Sequence, residues 1–466
     1  AAELDVELPA TPFELVVKED SVARSRPFRP LLKAKHKHEL RPAAWRRLGC
    51  RTPFTIPESK AEVTAAWLTT MLRWRGYLTS DEEVLEVKSK AIGEGEGEFS
   101  DLALVNLVKI RGDAPQLPRS LIAKFSPPDM AGLQLKIVFG SEAHFYNDLS
   151  VEGAGMVKPE AVYIGYEKRR CGTDKYCFII SNANPPSAPA ILFKREDGCS
   201  SLPHLMLAMR ALGRFHAQWW NCKQRGTLKW ALHPHHAGGP LPRVPKGVTR
   251  LSWALVIKAG LTALPHCYKK DDAVVFGSEF TEFISLVSGK IDGLAKAVAR
   301  ELFRPPLTLV HGDAHLENIF FASHFEGGCH FIDFGLTMIG QPLQDVSFLI
   351  GTGIPVEVRR QCELQLVRHY HASLLEFGVT GYSFEQCWRD FQFQLFRSMV
   401  SLLTITPSFA KQRKERKGMF APSPTEGDIK LYNMYLQLNK RLATALTDHK
   451  WHERLDELSW AACGCC

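Results

Sequence analysis

The chain has 466 residues, 45% of them hydrophobic and 23% charged, with a formal net charge of +8 and a mean hydropathy of -0.13. These values are ordinary for a globular protein and exclude the disordered and fibrous classes; no apolar run approaches the ~20 residues a bilayer span needs. The length exceeds what one core organises, so two or three lobes are expected.

Residues 1–55 interleave Pro9, Pro12, Pro27, Pro30, Pro42 and Pro53 with basic side chains such as Arg24, Arg41 and Arg47, which predicts an extended arm. Its charge offers a contact to an anionic surface or a protein partner, or marks a solvated extension. No basic stretch followed by an apolar signal core opens the chain, so a cytoplasmic location is expected, or an organelle if a targeting segment was removed. The 12 cysteines are scattered, as reduced thiols would be, and Cys463, Cys465 and Cys466 stand too close for a zinc site alone.

Apolar residues at helical intervals, Val63, Ala66, Trp67, Met71 and Leu72, predict a helix over 61–75. A strand over 84–92 then runs into Gly93-Glu94-Gly95-Glu96-Gly97-Glu98, and residues 102–110 read as the returning strand. Glycines at such a hairpin let backbone amides approach phosphate groups, provided the glutamates point outward; a surface hairpin with no ligand is the plainer alternative. Over 120–125 a lysine, Lys124, interrupts an apolar strand. Its desolvation cost calls for an anionic partner, and Glu142 on the helix that follows is the candidate, together with nucleotide phosphates. The plainer alternative is a lysine snorkelling at a strand edge.

Strands are expected over 156–166 and 176–180, ending at a hinge of Ser181-Asn182-Ala183-Asn184-Pro185-Pro186. An amphipathic helix follows over 205–220, with His216 on its apolar stripe as a core hydrogen-bonding group. Residues 221–250 are rich in Pro, Gly and His, but His233, His235 and His236 have no regular element to fix a metal-ligand spacing. Two helices are expected over 251–302, and further ones over 356–377, 384–403 and 428–446. A basic cluster from Lys411 to Lys417 reads as an exposed loop without the aromatics that stack on bases, so nucleic acid is not an expected partner.

Residues 307–335, LTLVHGDAHLENIFFASHFEGGCHFIDFG, concentrate the chemistry. A short apolar strand ends at His311-Gly312-Asp313, and a second strand pair delivers Asp333 at its end, so both acids face one mouth. Moving a phosphoryl group to a hydroxyl needs a carboxylate to orient the acceptor and hard oxygen ligands for Mg²⁺. Asp313 suits the first task; Asn318 and Asp333 suit the second. Asp313 followed five positions later by Asn318 keeps the spacing of the protein-kinase catalytic loop with Gly312 in place of Arg, and Asp333-Phe334-Gly335 reproduces D-F-G.

His311, Gly312, Asp313, His315 and Asn318, followed by FIDFG, resemble the aminoglycoside phosphotransferase and choline kinase superfamily, most closely its ecdysteroid kinase-like (CHK kinase-like) branch. The resemblance runs over roughly 57–400. It implies an α+β, two-lobed protein-kinase-like fold with a small antiparallel β lobe and a large mostly helical lobe, the arm at 1–55 preceding a nucleotide-binding lobe at 56–182 and a catalytic and substrate-binding lobe at 183–466. It implies an ATP- and Mg-dependent phosphotransferase acting on a hydroxyl of a small molecule, with Asp313 as base, Asn318 and Asp333 on the metal, Lys124 on the phosphates, and Glu142 orienting Lys124. Gly93, Gly95 and Gly97 would cover the phosphates. Asp345 would tie down the catalytic loop, and the region after it would build the acceptor pocket, where Tyr370, Tyr382, Trp388, Phe391 and Phe393 are candidates for lining or for core. Asp345 follows Asp333 by only twelve positions with no Ala-Pro-Glu beyond, which points away from protein acceptors. Ser181-Asn182 replaces an acidic pair common in relatives and leaves the nucleotide base open. The alternative is a catalytically silent kinase fold acting as a scaffold or subunit.

Overall fold

The computed structural model describes residues 54–92, 101–126, 132–149, 158–167, 175–222, 304–415 and 426–451, with a few isolated positions besides. The arm up to residue 53, Gly93, Gly95 and Gly97, the histidines at 233–236, nearly all of 251–302 and the terminal cysteines lie outside the described residues. The chain divides into Ala1–Lys35 and His36–Cys466, and everything described belongs to the second unit.

The first part is one antiparallel sheet of β1 (Glu83–Ile92), β2 (Asp101–Arg111), β3 (Ser120–Phe125), β4 (Ala161–Glu167) and β5 (Lys175–Ser181), in the order β1-β2-β3-β5-β4. Both faces of its central strands are covered, so these strands read as near-continuous apolar runs. Side chains alternate between two cores. Leu121, Ala123 and Phe125 of β3, with Cys177 and Ile179 of β5, pack under helix α1 (Ala65–Arg75) against Trp67, Met71 and Leu72. The helix starts at Thr64, whose Oγ1 accepts the Trp67 N–H at 3.2 Å, and stops at Gly76 with φ +86. Residues 60–62 form a separate 3-10 turn, so the helix is shorter than the periodicity predicts.

The opposite sheet face, with Tyr176, Phe178 and Ile180, joins the second core. Helix α2 (Gly132–Asp148) packs there: the Phe139 ring sits 5.6 Å from both Tyr176 and Phe178. The same core continues without a break into the helical part, built on α3 (Leu202–Gln218), α4 (Leu343–Gly353), α5 (Val356–Glu376), α6 (Phe384–Glu415) and α7 (Glu426–Asp448). Two small ladders lie between: β6 (Ile191–Leu192), β8 (Ile319–Phe321) and β9 (Cys329–Phe331) in the order β6-β8-β9, and β7 (Thr308–Val310) with β10 (Met338–Gly340). The fold is therefore α+β, a small antiparallel sheet followed by a mostly helical body.

Two expectations are corrected. Helix α6 runs to Glu415, so Lys411, Arg413 and Lys414 are helical rather than in a loop. The strand expected from 156 begins only at Ala161. Of the aromatics offered for lining or for core, Tyr370, Tyr382 and Phe391 are core residues, at most 5% exposed. No described helix is long and apolar enough to cross a membrane.

Candidate active site

Strand alternation puts Lys124 on the α2 side of the sheet, opposite Leu121, Ala123 and Phe125. Its Nζ donates to Glu142 Oε2 at 2.6 Å and to Asp333 Oδ1 at 3.1 Å. Lys124 is 6% exposed and Glu142 1%, while the Asp333 side chain remains 43% exposed, so the mouth of the site lies on the Asp333 side. Burial opposes the Lys124 charge, but the carboxylates of Asp333 and Glu142 hold its ammonium above the ordinary lysine range. Asp333 moves the other way: burial would raise it, and the Lys124 ammonium, followed by His311, brings it below the usual aspartate value.

Asp333 adopts φ +60, a left-handed conformation that aspartate tolerates better than most residues. Phe334 holds that turn in place from below. Its ring is fully buried, stacks on Phe145 at 3.7 Å and 11°, and meets Tyr146 edge-on at 5.7 Å. The helix carrying Glu142 is thus also the one that grips the residue next to Asp333.

The loop that carries Asp313 follows β7. Asp345, buried at the start of α4, accepts the His311 backbone N–H at 2.7 Å on Oδ2 and the Gly312 N–H at 2.9 Å on Oδ1. His216 Nε2 reaches the same Oδ2 at 3.1 Å, and the Tyr370 hydroxyl lies 2.8 Å from His216 Nδ1. Burial would raise the Asp345 carboxyl, but the bond from His216, its neighbour His311 and the Gly312 amide keep it below its ordinary value. The tether that the resemblance implied for Asp345, and the core hydrogen-bonding role read for His216, are both present. Gly312 has φ +86, and a Cβ there would come within 2.1 Å of the Leu336 carbonyl oxygen, so no side chain fits.

His311 links the two halves of the site. Its Nε2 donates to the Ile332 carbonyl at 2.9 Å, beside Asp333, and its Nδ1 accepts the Asp313 N–H at 3.3 Å. Burial lowers its pKa, which suits the neutral ring this pairing needs. The Ile332 N–H in turn donates to the Asn318 carbonyl at 3.0 Å, so Asn318 and Asp333 stand at the ends of neighbouring segments. Asn318 Nδ2 donates to the Asp313 carbonyl at 3.0 Å, leaving Oδ1 as the end open to a cation.

With the Asp333 carboxylate, the site offers two hard oxygen groups, the ligand type that suits Mg²⁺. The Asp313 side chain is 31% exposed and stands 3.6 Å from His315 Nε2.

One clamp has no signal in the sequence. Arg195 Nε donates to Glu317 Oε2 at 2.8 Å, and the Arg195 N–H to Glu317 Oε1 at 3.3 Å, pinning the 3-10 turn Leu316–Asn318 from outside. Arg441 on α7 then holds the Arg195 carbonyl at 2.6 Å. These contacts join residues 122 and 246 positions apart through Arg195, which lies in an irregular segment where periodicity carries no information. At the hinge, the N–H groups of Ser181, Asn182 and Asn184 are bonded to Glu160 O, Ser120 O and Asn182 Oδ1, and Pro185 and Pro186 have none. Among the described residues of that stretch, Ala183 keeps the one backbone donor without a bond in the fold.

The ecdysteroid kinase-like family model matches residues 191–378, from β6 to just past α5. That segment carries Asp313, Asn318, Asp333 and Asp345, so the motif resemblance and the family match fall on the same residues. A search of curated proteins finds no match. Similar solved structures include an ethanolamine kinase from Plasmodium vivax, at 12% identity and TM-score 0.43, covering 77% of this chain and 81% of that one. A choline kinase from Cryptosporidium parvum is similar at 10% identity and TM-score 0.45, covering 80% and 91%. A choline/ethanolamine kinase family protein from Mesorhizobium loti is similar at 13% identity and TM-score 0.44, covering 86% and 99%.

Proposed function

We propose, taking the ecdysteroid kinase-like signature of residues 191–378 as premise, that this protein is an ATP-dependent kinase that phosphorylates a hydroxyl group of a small molecule. The observation that carries the reading is the position of Lys124, bonded at once to Glu142 and Asp333 from segments 18 and 209 positions away. A buried lysine fixed between two acids at the mouth of a site is costly for structure alone and is what a triphosphate needs.

In this reading Lys124 binds the phosphates, and Glu142 keeps its ammonium aimed at them. Asn318 Oδ1 and Asp333 would hold Mg²⁺, which when bound neutralises charge developing on the transferred group. Asp313 accepts the proton of the attacking hydroxyl. Held on a loop whose amides are fixed by Asp345, it meets the acceptor at a set distance, and positioning is most of what this transfer requires. Gly93, Gly95 and Gly97 would cover the phosphates, and the Ala183 N–H would be offered to the nucleotide base.

A small acceptor is supported by the short path from Asp333 to Asp345, whose eleven intervening residues already include β10 and the start of α4. No stretch is left there for a long segment on which a protein acceptor could lie. Transfer of labelled γ-phosphate from Mg-ATP into a fractionated metabolite extract tests the reading. A labelled product is expected with the wild type and none with Asp313→Ala. Absence of both product and nucleotide binding would instead favour a silent kinase fold serving as a scaffold.

A further inference from the structure

An unpartnered donor lies at the centre of the site. His315 is 8% exposed, and its Nδ1 has no hydrogen-bond partner although it is buried. Its other nitrogen, Nε2, lies 3.2 Å from Asn318 Nδ2.

The roles of these atoms follow from one neighbour. Asn318 Nδ2 is 3.0 Å from the Asp313 carbonyl oxygen, which can only accept, so that end of the amide is the NH₂ group. His315 Nε2 must therefore accept the second N–H. A neutral imidazole that accepts at Nε2 carries its proton on Nδ1, the atom left without a partner. With no proton on Nε2, the 3.6 Å approach to Asp313 Oδ2 is not a hydrogen bond, and His315 has no proton to relay there. Leaving a buried N–H unpaired costs on the order of 1–3 kcal/mol. A residue kept at that cost, with one bond to show for it, points to the function of that bond.

We propose that His315 is a positioning residue for the metal: by accepting from Asn318 Nδ2 it locks the amide with Oδ1 turned outward as the hard-oxygen ligand. The Asp313 carbonyl alone is a single anchor, about which the amide can swing and carry Oδ1 off the cation; the His315 acceptor is the second anchor that stops it. The inference rests on the kinase reading above and adds the residue that holds Asn318 Oδ1 in line for the metal.

Mn²⁺ serves as the probe, its free fraction followed by electron paramagnetic resonance in the presence of a non-hydrolysable ATP analogue, on the full chain. His315→Leu removes the acceptor; His315→Gln restores one through Oε1. The leucine variant is expected to bind Mn²⁺ about tenfold or more weakly, as for other residues that orient a metal ligand, and the glutamine variant to stay within about threefold of wild type. Metal-free binding of the nucleotide should be alike in all three, which also reports that they fold; His315→Phe takes the place of leucine if that variant does not. Equal Mn²⁺ affinity in the leucine variant and wild type would overturn the proposal, and so would an equal loss in both variants, since packing alone would then explain it. A wild type that binds nucleotide and metal not at all would overturn the kinase reading itself and this inference with it.

Discussion

Gly312 cannot accept a methyl group on two grounds, its positive φ and the Leu336 carbonyl 2.1 Å from where a Cβ would stand. Gly312→Ala is expected to cost about 2 kcal/mol or more and to depress phosphoryl transfer further, because the residue that moves is next to Asp313. Denaturant unfolding alongside an activity assay would separate the two effects. Asp345 makes the companion prediction. Its carboxyl sits below its ordinary value of 3.8, so the stability it contributes is complete above that pH and is lost as pH falls through the lower, folded-state value. Asp345→Asn turns one acceptor oxygen into a donor facing backbone N–H groups. It should therefore cost ~2–4 kcal/mol at pH 7, with the gap to wild type narrowing as the pH drops below about 4. Urea unfolding of both proteins across that range checks the sign.

Among the elements, those with a strong period were legible beforehand. The sheet strands and the helices after residue 356 were expected near where they lie, and Glu142 was expected beside Lys124 from the lysine's need for an anion. What was not legible has physical reasons. Strands β6 and β10 are 2 and 3 residues long and carry no alternation to detect. Helix α4 is buried on every side, Gln344, Asp345 and Ser347 included, so it has no polar face to generate a helical period. The contact of Lys124 with Asp333 spans 209 positions and depends on how α2 seats against Phe334. That seat can be tested. Phe334→Ala is expected to destabilise by about 3–4 kcal/mol, and, in variants that stay folded at low temperature, to reduce transfer because Asp333 loses its support. Phe334→Leu, which refills most of the volume, should recover more stability than activity.

For the whole molecule, a ligand that joins Lys124 on the sheet to Asn318 and Asp333 on the helical side must stabilise both. Mg-ATP at a hundred times its dissociation constant should raise unfolding free energy by about 2.7 kcal/mol, and Lys124→Met should abolish that increment whatever it does to the free protein. Differential scanning calorimetry with and without nucleotide measures it. The same experiment should show one transition over the described residues, because the second core runs from Phe178 and Ile180 of the sheet through Phe139 and Phe145 into Phe215 and Phe334 without a gap. That continuity also limits how such a chain can be rebuilt by exchange of parts. A graft that took the sheet and left Phe334 behind would carry half of an aromatic seam to a host with no matching half. The sheet, its helix α2 and the loop bearing Asp333 can be transplanted only as one inherited piece.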